Sequence, residues 1–436
     1  MQNIEIGHLK EKSTRRYDVD WLRVILFALL IWFHYAVFSL SQLDGSDIIT
    51  KSFNLPLFLI IGVMHQWRLA ALFVISGMGT AFAFRRRNWK TYVKERGVRL
   101  GIPLLFGVYI LWFGIFTPVT TTARLFSIFP GSEKMPYGHL WFIYNLFIYS
   151  ILLTPLFNHI RKNPDGKFLS FVRSVLIFRF GMGILLIPPL ILGLNGILFK
   201  PWAFGEVGMW WEFPRYLIYF LFGFLMISAS KEYFQIIDKI RIPVTVITPI
   251  LSILWYILSE GSSIPQVMEG GWIHNGHSAF SIEATIATLI QAFHSWFWCL
   301  LIFSWASKLL NRPSRWIFYL NEAVYPTYIV HMHLTFLPIA IFGIFGLNYY
   351  IGLTIGTIFV LFGVMFCFEI IRRTTFARIF YGIKGGHSEV ELLFPYNQVE
   401  SRRGRLLIAF LFHIIAIGMT LGLLILLVSA GILSNI

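Results

Sequence analysis

The chain is 436 residues long, 57% hydrophobic and only 13% charged, with a mean hydropathy of +0.69; so little polar surface cannot cover a soluble globule, and the chain reads as a polytopic membrane protein. Its formal net charge of +15 does not mark a nucleic-acid partner, because Lys and Arg cluster in short segments between apolar spans rather than along a binding stripe. The two cysteines, Cys299 and Cys367, fall inside apolar spans and exclude a disulfide framework or a cysteine-based metal site.

Apolar stretches long enough to cross a bilayer fall at about residues 21 to 41, 57 to 84, 100 to 119, 139 to 160, 174 to 195, 213 to 229, 242 to 259, 280 to 306, 316 to 342, 349 to 371 and 406 to 433. The expected fold class is therefore all-α, a polytopic transmembrane helical bundle of about 11 helices. Residues 1–20 form a polar cytoplasmic segment, and no small-residue cleavage site follows the first span, which is expected to stay as a signal anchor. The second span is expected to open with a bent or re-entrant piece around Pro56 and Gly62, its true crossing starting near Arg68. Of the 36 Lys and Arg residues, 28 lie in one alternating set of connections and four in the other. That imbalance supports the helix count and predicts a cytoplasmic N-terminus and an outer C-terminus. Residues 21–371 make up the membrane domain, 372–405 a basic cytoplasmic loop and 406–436 an additional C-terminal transmembrane helix. No repeat of fixed period is visible, and Gly352 with Gly356 reads as a helix-packing pair.

Within the first span, Arg23 and His34 are ionisable groups where lipid is expected. Eleven residues of helix place them on nearly one face, about 16 Å apart, and that face should look into protein. Arg96 and Arg99 share a face where the third span leaves the cytoplasm, and guanidinium forks there suit phosphate. Arg85, Arg86 and Arg87 read as an ordinary positive-inside cluster. His331 and His333, two apart, point to different helix faces and chelate poorly. His274 and His277 lie near Glu269 without a further ligand of matching spacing, so no metal is expected. Ser76 and Asn145 are polar groups within spans, and partners for Glu283, His294, Glu322 and Glu369 do not follow from spacing. The outer connections carry Trp202, Phe204, Trp210, Trp211 and Trp272, aromatic faces able to hold sugars or to form an interfacial belt.

Arg23 with His34, Phe73-Val-Ile-Ser-Gly77, Arg96-Gly-Val-Arg99-Leu-Gly-Ile-Pro103, His139-Leu-Trp-Phe-Ile143 and Tyr325-Pro-Thr-Tyr-Ile-Val-His331 together resemble the acyltransferase-3 family of integral membrane acyltransferases. The Glu-Arg-Gly-Val-Arg-Leu-Gly-Ile-Pro wording is most similar to the osmoregulated periplasmic glucan succinyltransferase branch. The resemblance covers about residues 17 to 371 and leaves the eleventh helix outside it. It implies an acyl-CoA donor, succinyl-CoA or acetyl-CoA, taken from the cytoplasm, and as acceptor an extracytoplasmic glycan or lipid-linked saccharide. It also implies a multi-pass protein of the bacterial cytoplasmic (inner) membrane. Residue by residue, His34 matches the family's first-helix histidine, Arg23 its partner arginine, Arg96 and Arg99 its Arg-x-x-Arg pair, and His331 its late histidine lining the cavity. Trp202 and Trp272 are the expected acceptor-binding aromatics, and no metal is called for. A buried histidine near cations should be neutral, as a general base must be. The rival reading is a secondary transporter or exporter with an intramembrane Arg/His/Glu path; it calls for inverted repeats and paired broken helices, and neither is visible.

Overall fold

The computed structural model describes residues 15–39, 56–112, 138–199, 212–258, 280–344, 348–373 and 375–383. All regular structure among the described residues is helical. Hydrocarbon offers backbone N–H and C=O groups no water, so each segment pairs its own. In chain order, leaving the short helix Ile102–Phe106 unlabelled, the helices are α1 (Tyr17–Phe38), α2 (Pro56–Arg85), α3 (Trp89–Arg96), α4 (Trp141–Leu152), α5 (Thr154–Lys162), α6 (Lys167–Ile177) and α7 (Met182–Phe199). Then follow α8 (Glu212–Ser228), α9 (Ser230–Lys239), α10 (Arg241–Leu258), α11 (Ile282–Leu309), α12 (Arg315–Ile344), α13 (Tyr349–Arg373) and α14 (Thr375–Phe380). By length and hydropathy six helical segments among the described residues can cross a membrane, or up to eight if each of two sharply bent pairs is one crossing. The end of the third expected span and the C-terminal helix at 406–436 lie outside the described residues.

The bundle is built around α2, 78% buried over its most apolar stretch, against 17% for α10. On α10, Ile242, Val246, Ile250 and Ile253 stay exposed, as lipid-facing side chains do where no hydrophobic force drives helices together. Close packing of α2 instead comes from missing side chains. An ideal Cβ on Gly77 would stand 1.9 Å from the Phe220 carbonyl oxygen, and one on Gly223 1.9 Å from that of Val74, so α2 and α8 touch at backbone distance. The expected Gly352/Gly356 pair does seat a helix: the Tyr35 hydroxyl donates to Gly352 O at 2.8 Å, and a Cβ on Gly356 would strike the same ring.

One expectation is corrected and another refined. α2 is one continuous helix from Pro56, not a re-entrant piece followed by a crossing. Pro56 stands in the first turn, where a missing N–H costs nothing, and Gly62 lies beneath Trp255; Arg68 is therefore mid-helix. The span expected at 174 to 195 falls within one of the six candidate crossings, Lys167–Phe199, but is built of two helices, α6 and α7, joined by Phe178–Gly181. There Arg179, Phe180 and Gly181 have φ of 38°, 59° and 100°, and consecutive left-handed residues cannot continue a right-handed helix. α6 packs on α9, which is bent 102° away from α8. Asn88 caps α3, accepting from Thr91 N at 2.8 Å, and a π-type turn over Gly97–Gly101 carries the chain past Arg99 toward the third span.

Replacing Gly77 or Gly223 by Leu should force α2 and α8 apart, at about 1–3 kcal/mol or more of overpacking. Thermal unfolding in detergent should show it, whereas Gly97→Ala, where a Cβ would meet nothing within 4 Å, should leave the midpoint unlowered.

Candidate functional site

Three helices set the site at two levels. α1 and α12 run parallel, since Arg23 meets Asn321 and, eleven residues on, His34 meets His331. α2 runs antiparallel to α1: Gly79 lies against Arg23, and a Cβ there would be 2.7 Å from Arg23 Nη2. Glycine at this position makes room for the guanidinium.

At the first level Arg23 Nη1 donates to Asn321 Oδ1 at 2.9 Å and to Asp20 Oδ1 at 3.3 Å. Asn321 Nδ2 donates to the same Asp20 oxygen at 3.2 Å, and Arg15 reaches Asp20 at 2.8 Å. Two adjoining cavities, of about 300 and 150 Å³, share Arg23, Gly79, Ala83 and Arg87. Seven arginines line them against Asp20 and Glu95. Arg96 donates to Thr80 Oγ1 at 3.4 Å and lies 4.8 Å from the Tyr92 ring centroid. Arg99 keeps a buried Nε with no hydrogen-bond partner among the described residues. Burial above all, and then the like charges of Arg96 and Arg23, pull the Arg99 guanidinium below its ordinary pKa, Tyr325 and Glu95 acting the other way. Net positive charge with unfilled donors is what a polyphosphate needs. Of the basic triplet, Arg86 and Arg87 line the cavity, while Arg85 ties to Ile227 O and, at 3.1 Å, to Ser230 Oγ.

At the second level His34 Nδ1 and His331 Nε2 are 2.8 Å apart and the rings stack at 5.1 Å. His331 Nδ1 lies 2.5 Å from Tyr328 O. A carbonyl only accepts, so His331 carries its proton on Nδ1. For uncharged rings the remaining positions follow: His331 Nε2 accepts from His34 Nδ1–H, leaving His34 Nε2 with a bare lone pair. His34 is half-buried and faces His331. His139 stands edge-on to His331 at 5.2 Å, held by the Tyr328 hydroxyl donating to its carbonyl. His65 stacks on Phe33 at 5.4 Å.

Between the levels, Phe27 occupies the stripe shared by Arg23 and His34. Its ring packs against Phe142 at 5.8 Å and Tyr328 at 5.6 Å, and those two stand 5.8 Å apart. The arginine cavity extends to Ser76, Leu146 and Tyr325, on the near side of these rings.

The structure thus brings Arg23, Arg96 and Arg99 together and pairs His34 with His331, setting Arg23 among the cavity arginines rather than beside the histidine. Ser76 donates to Leu72 O at 2.7 Å and lines the arginine cavity. Glu322 ties α12 to Arg378 of α14 at 3.1 Å and His294 ties α11 to Ser252 of α10 at 3.0 Å; Glu369 pairs within α13 with Arg372 at 3.0 Å and Arg373 at 2.6 Å while accepting from Tyr319 of α12. Trp202 and Trp272 lie outside the described residues, as do His274 and His277. Asn321 and Thr80 escaped the sequence reading, since neutral polar residues in apolar spans are common. Arg68 offered a signal, an arginine inside an apolar span, that was not followed.

Residues 16–371 match the family model described as an acyltransferase domain. Among characterised relatives, the glucans biosynthesis protein C of Escherichia coli O81 (strain ED1a) is 24% identical over 392 residues, 85% of this chain and 95% of that protein. The protein of the same description from Escherichia coli strain K12 matches with the same identity and coverage. No solved structure matches.

Replacing Arg96 and Arg99 together by Ala removes two of the seven cavity cations. Inorganic pyrophosphate, titrated calorimetrically into detergent-purified protein, should bind at least about tenfold more weakly, since hydrogen bonds to charged groups contribute about 1.5–3 kcal/mol each. Unchanged affinity would count against an anion site.

Proposed function

Starting from a chain that belongs to the acyltransferase-3 family and is a multi-pass membrane acyltransferase, we propose that it moves an acyl group, succinyl or acetyl, from cytoplasmic acyl-CoA to an extracytoplasmic glycan hydroxyl. The family membership sets the transporter reading aside. The relatives' description names glucan biosynthesis, which makes a glucan, free or lipid-linked, the first acceptor to test. The proposed setting is a bacterial cytoplasmic membrane, with about 11 crossings and the N-terminus inside, on the strength of the Lys and Arg imbalance.

One observation carries the reading: an arginine-lined cavity and a hydrogen-bonded histidine pair lie on one stripe of α1, eleven residues apart, about 16 Å. A CoA thioester has that polarity, an anionic head and a long neutral arm ending at the reacting carbon. Arg96, Arg99 and Arg23 hold the phosphates, and the arm runs along α1 past Phe27 to His34. At the thioester, His34 Nε2 takes the proton of the acceptor hydroxyl as its oxygen attacks the carbonyl carbon. The new C–O bond forms, the C–S bond breaks, and the CoA thiolate leaves, recovering a proton from the imidazolium. His331 keeps His34 in the tautomer that has a free Nε2, the office a carboxylate performs in hydrolytic triads.

Mass spectrometry of glycans from cells expressing wild type or His34→Ala should show the acyl mass increment lost at equal protein level. General-base removal costs about 10²- to 10⁴-fold, and an undiminished increment would overturn the assignment. His331→Gln, which can still present an acceptor oxygen to His34 Nδ1, should retain more transfer than His331→Ala, with the difference in kcat rather than KM.

A further inference from the structure

Arg68 has no part in the mechanism above, yet the register of the bundle puts it at the reacting level. α1 and α2 are antiparallel and Gly79 stands against Arg23; eleven residues along each helix from that contact come His34 and Arg68. The guanidinium carbon of Arg68 lies 3.6 Å from the centre of the Phe33 ring, whose chain neighbour is His34. The side chain is 1% exposed. Its Nε and Nη1 are buried without a hydrogen-bond partner among the described residues. Among the described residues no carboxylate pairs with it.

The other fully buried arginines among the described residues each have such a partner: Arg215 has Glu212, Arg372 has Glu369 and Arg378 has Glu322. An arginine keeps its charge even when buried. Left unpaired inside a membrane it costs stability that an apolar side chain of similar size would not. A fixed cation with unfilled donors, stacked on the residue next to the proposed base, is a receptor for negative charge that arrives with a ligand. Phosphate does not fit that description, because the polyphosphate end of the donor is held at the other level, eleven residues away on α1.

We propose that Arg68 receives an anionic oxygen of the acyl group being transferred, at the level of the His34–His331 pair, a role that rests on the reading of that pair given above. Two oxygens have this chemistry. One is the distal carboxylate of a dicarboxylic half-thioester, which the guanidinium fork would hold throughout binding. The other is the oxyanion that forms at the thioester carbon when the acceptor oxygen adds, before the C–S bond breaks. The first makes Arg68 a selector of dicarboxylic over monocarboxylic donors; the second makes it indifferent to the donor's tail.

The test compares wild type with Arg68→Met in nanodiscs, measuring thermal unfolding and acyl transfer to a glucan oligosaccharide from succinyl-CoA and from acetyl-CoA. The proposal expects the Met variant to unfold no earlier than wild type, because an uncompensated charge has been removed, and to lose transfer. A fall of about 100-fold or more with succinyl-CoA alone assigns the carboxylate, since a site built for a polar group discriminates strongly against its absence. A fall of about 10²- to 10³-fold in kcat with both donors assigns the oxyanion. Wild-type rates with both donors would overturn the proposal. So would lost transfer accompanied by a lower unfolding midpoint in both Arg68→Met and Arg68→Gln, which would mark Arg68 as structural. His34→Ala run in parallel separates the two readings: full transfer by that variant with transfer lost in Arg68→Met removes the base and leaves the anion receptor standing.

Discussion

The 2.8 Å contact between His34 and His331 is where the helix packing and the proposed chemistry meet. Two polar rings in a lipid-immersed bundle satisfy each other only if the helices carrying them stay in register, so the contact aligns α1 with α12 and fixes every other pairing along them. Asn321 then falls opposite Arg23, and the Tyr328 carbonyl falls under His331 Nδ1. The same contact sets the tautomer, because a carbonyl at one end of the chain of hydrogen bonds leaves only one arrangement of protons for uncharged rings. One pair of nitrogens thus serves the packing and, in the proposed mechanism, the reactivity as well.

The cationic level works by a different balance. Asp20 serves Arg15, Arg23 and Asn321 at once, so a single carboxylate orders the groups around the cavity mouth without neutralising it. Glu95 does the same for Arg87 at 3.0 Å. Even with Arg16 paired to Asp18 at 2.8 Å, the arginines outnumber the carboxylates around the cavity, an excess that is costly in the absence of an anion and favourable in its presence. Such a surface suits phosphate by charge and by planar donor geometry together.

Periodicity and composition carried a good part of this in the sequence. The intramembrane Arg23 and His34 stood out because charge in an apolar span is expensive, and the Arg96/Arg99 spacing placed both on one face. Those are local properties, and the structure brings the arginines together as that local logic suggests. Which helix would face which was not legible. Arg68 looked like a residue near the start of a span because Pro56 and Gly62 suggested a break, when the proline in fact opens the helix. The Gly77 and Gly223 contact was equally hidden: a glycine in an apolar run states that something comes close, never what. The reversal at Arg179 and Phe180 had no glycine or proline at those two positions to announce it, so hydropathy ran across two helices as though they were one.

Phe27, Phe142 and Tyr328 close the stripe between the two levels, and Tyr328 also supplies the carbonyl that orients His331. Displacing that ring to admit a substrate arm therefore tugs on the residue that sets the proton of its neighbour. Separation of the two levels and orientation of the imidazole are thereby geared to each other, because one tyrosine contributes its ring to the first and its carbonyl to the second.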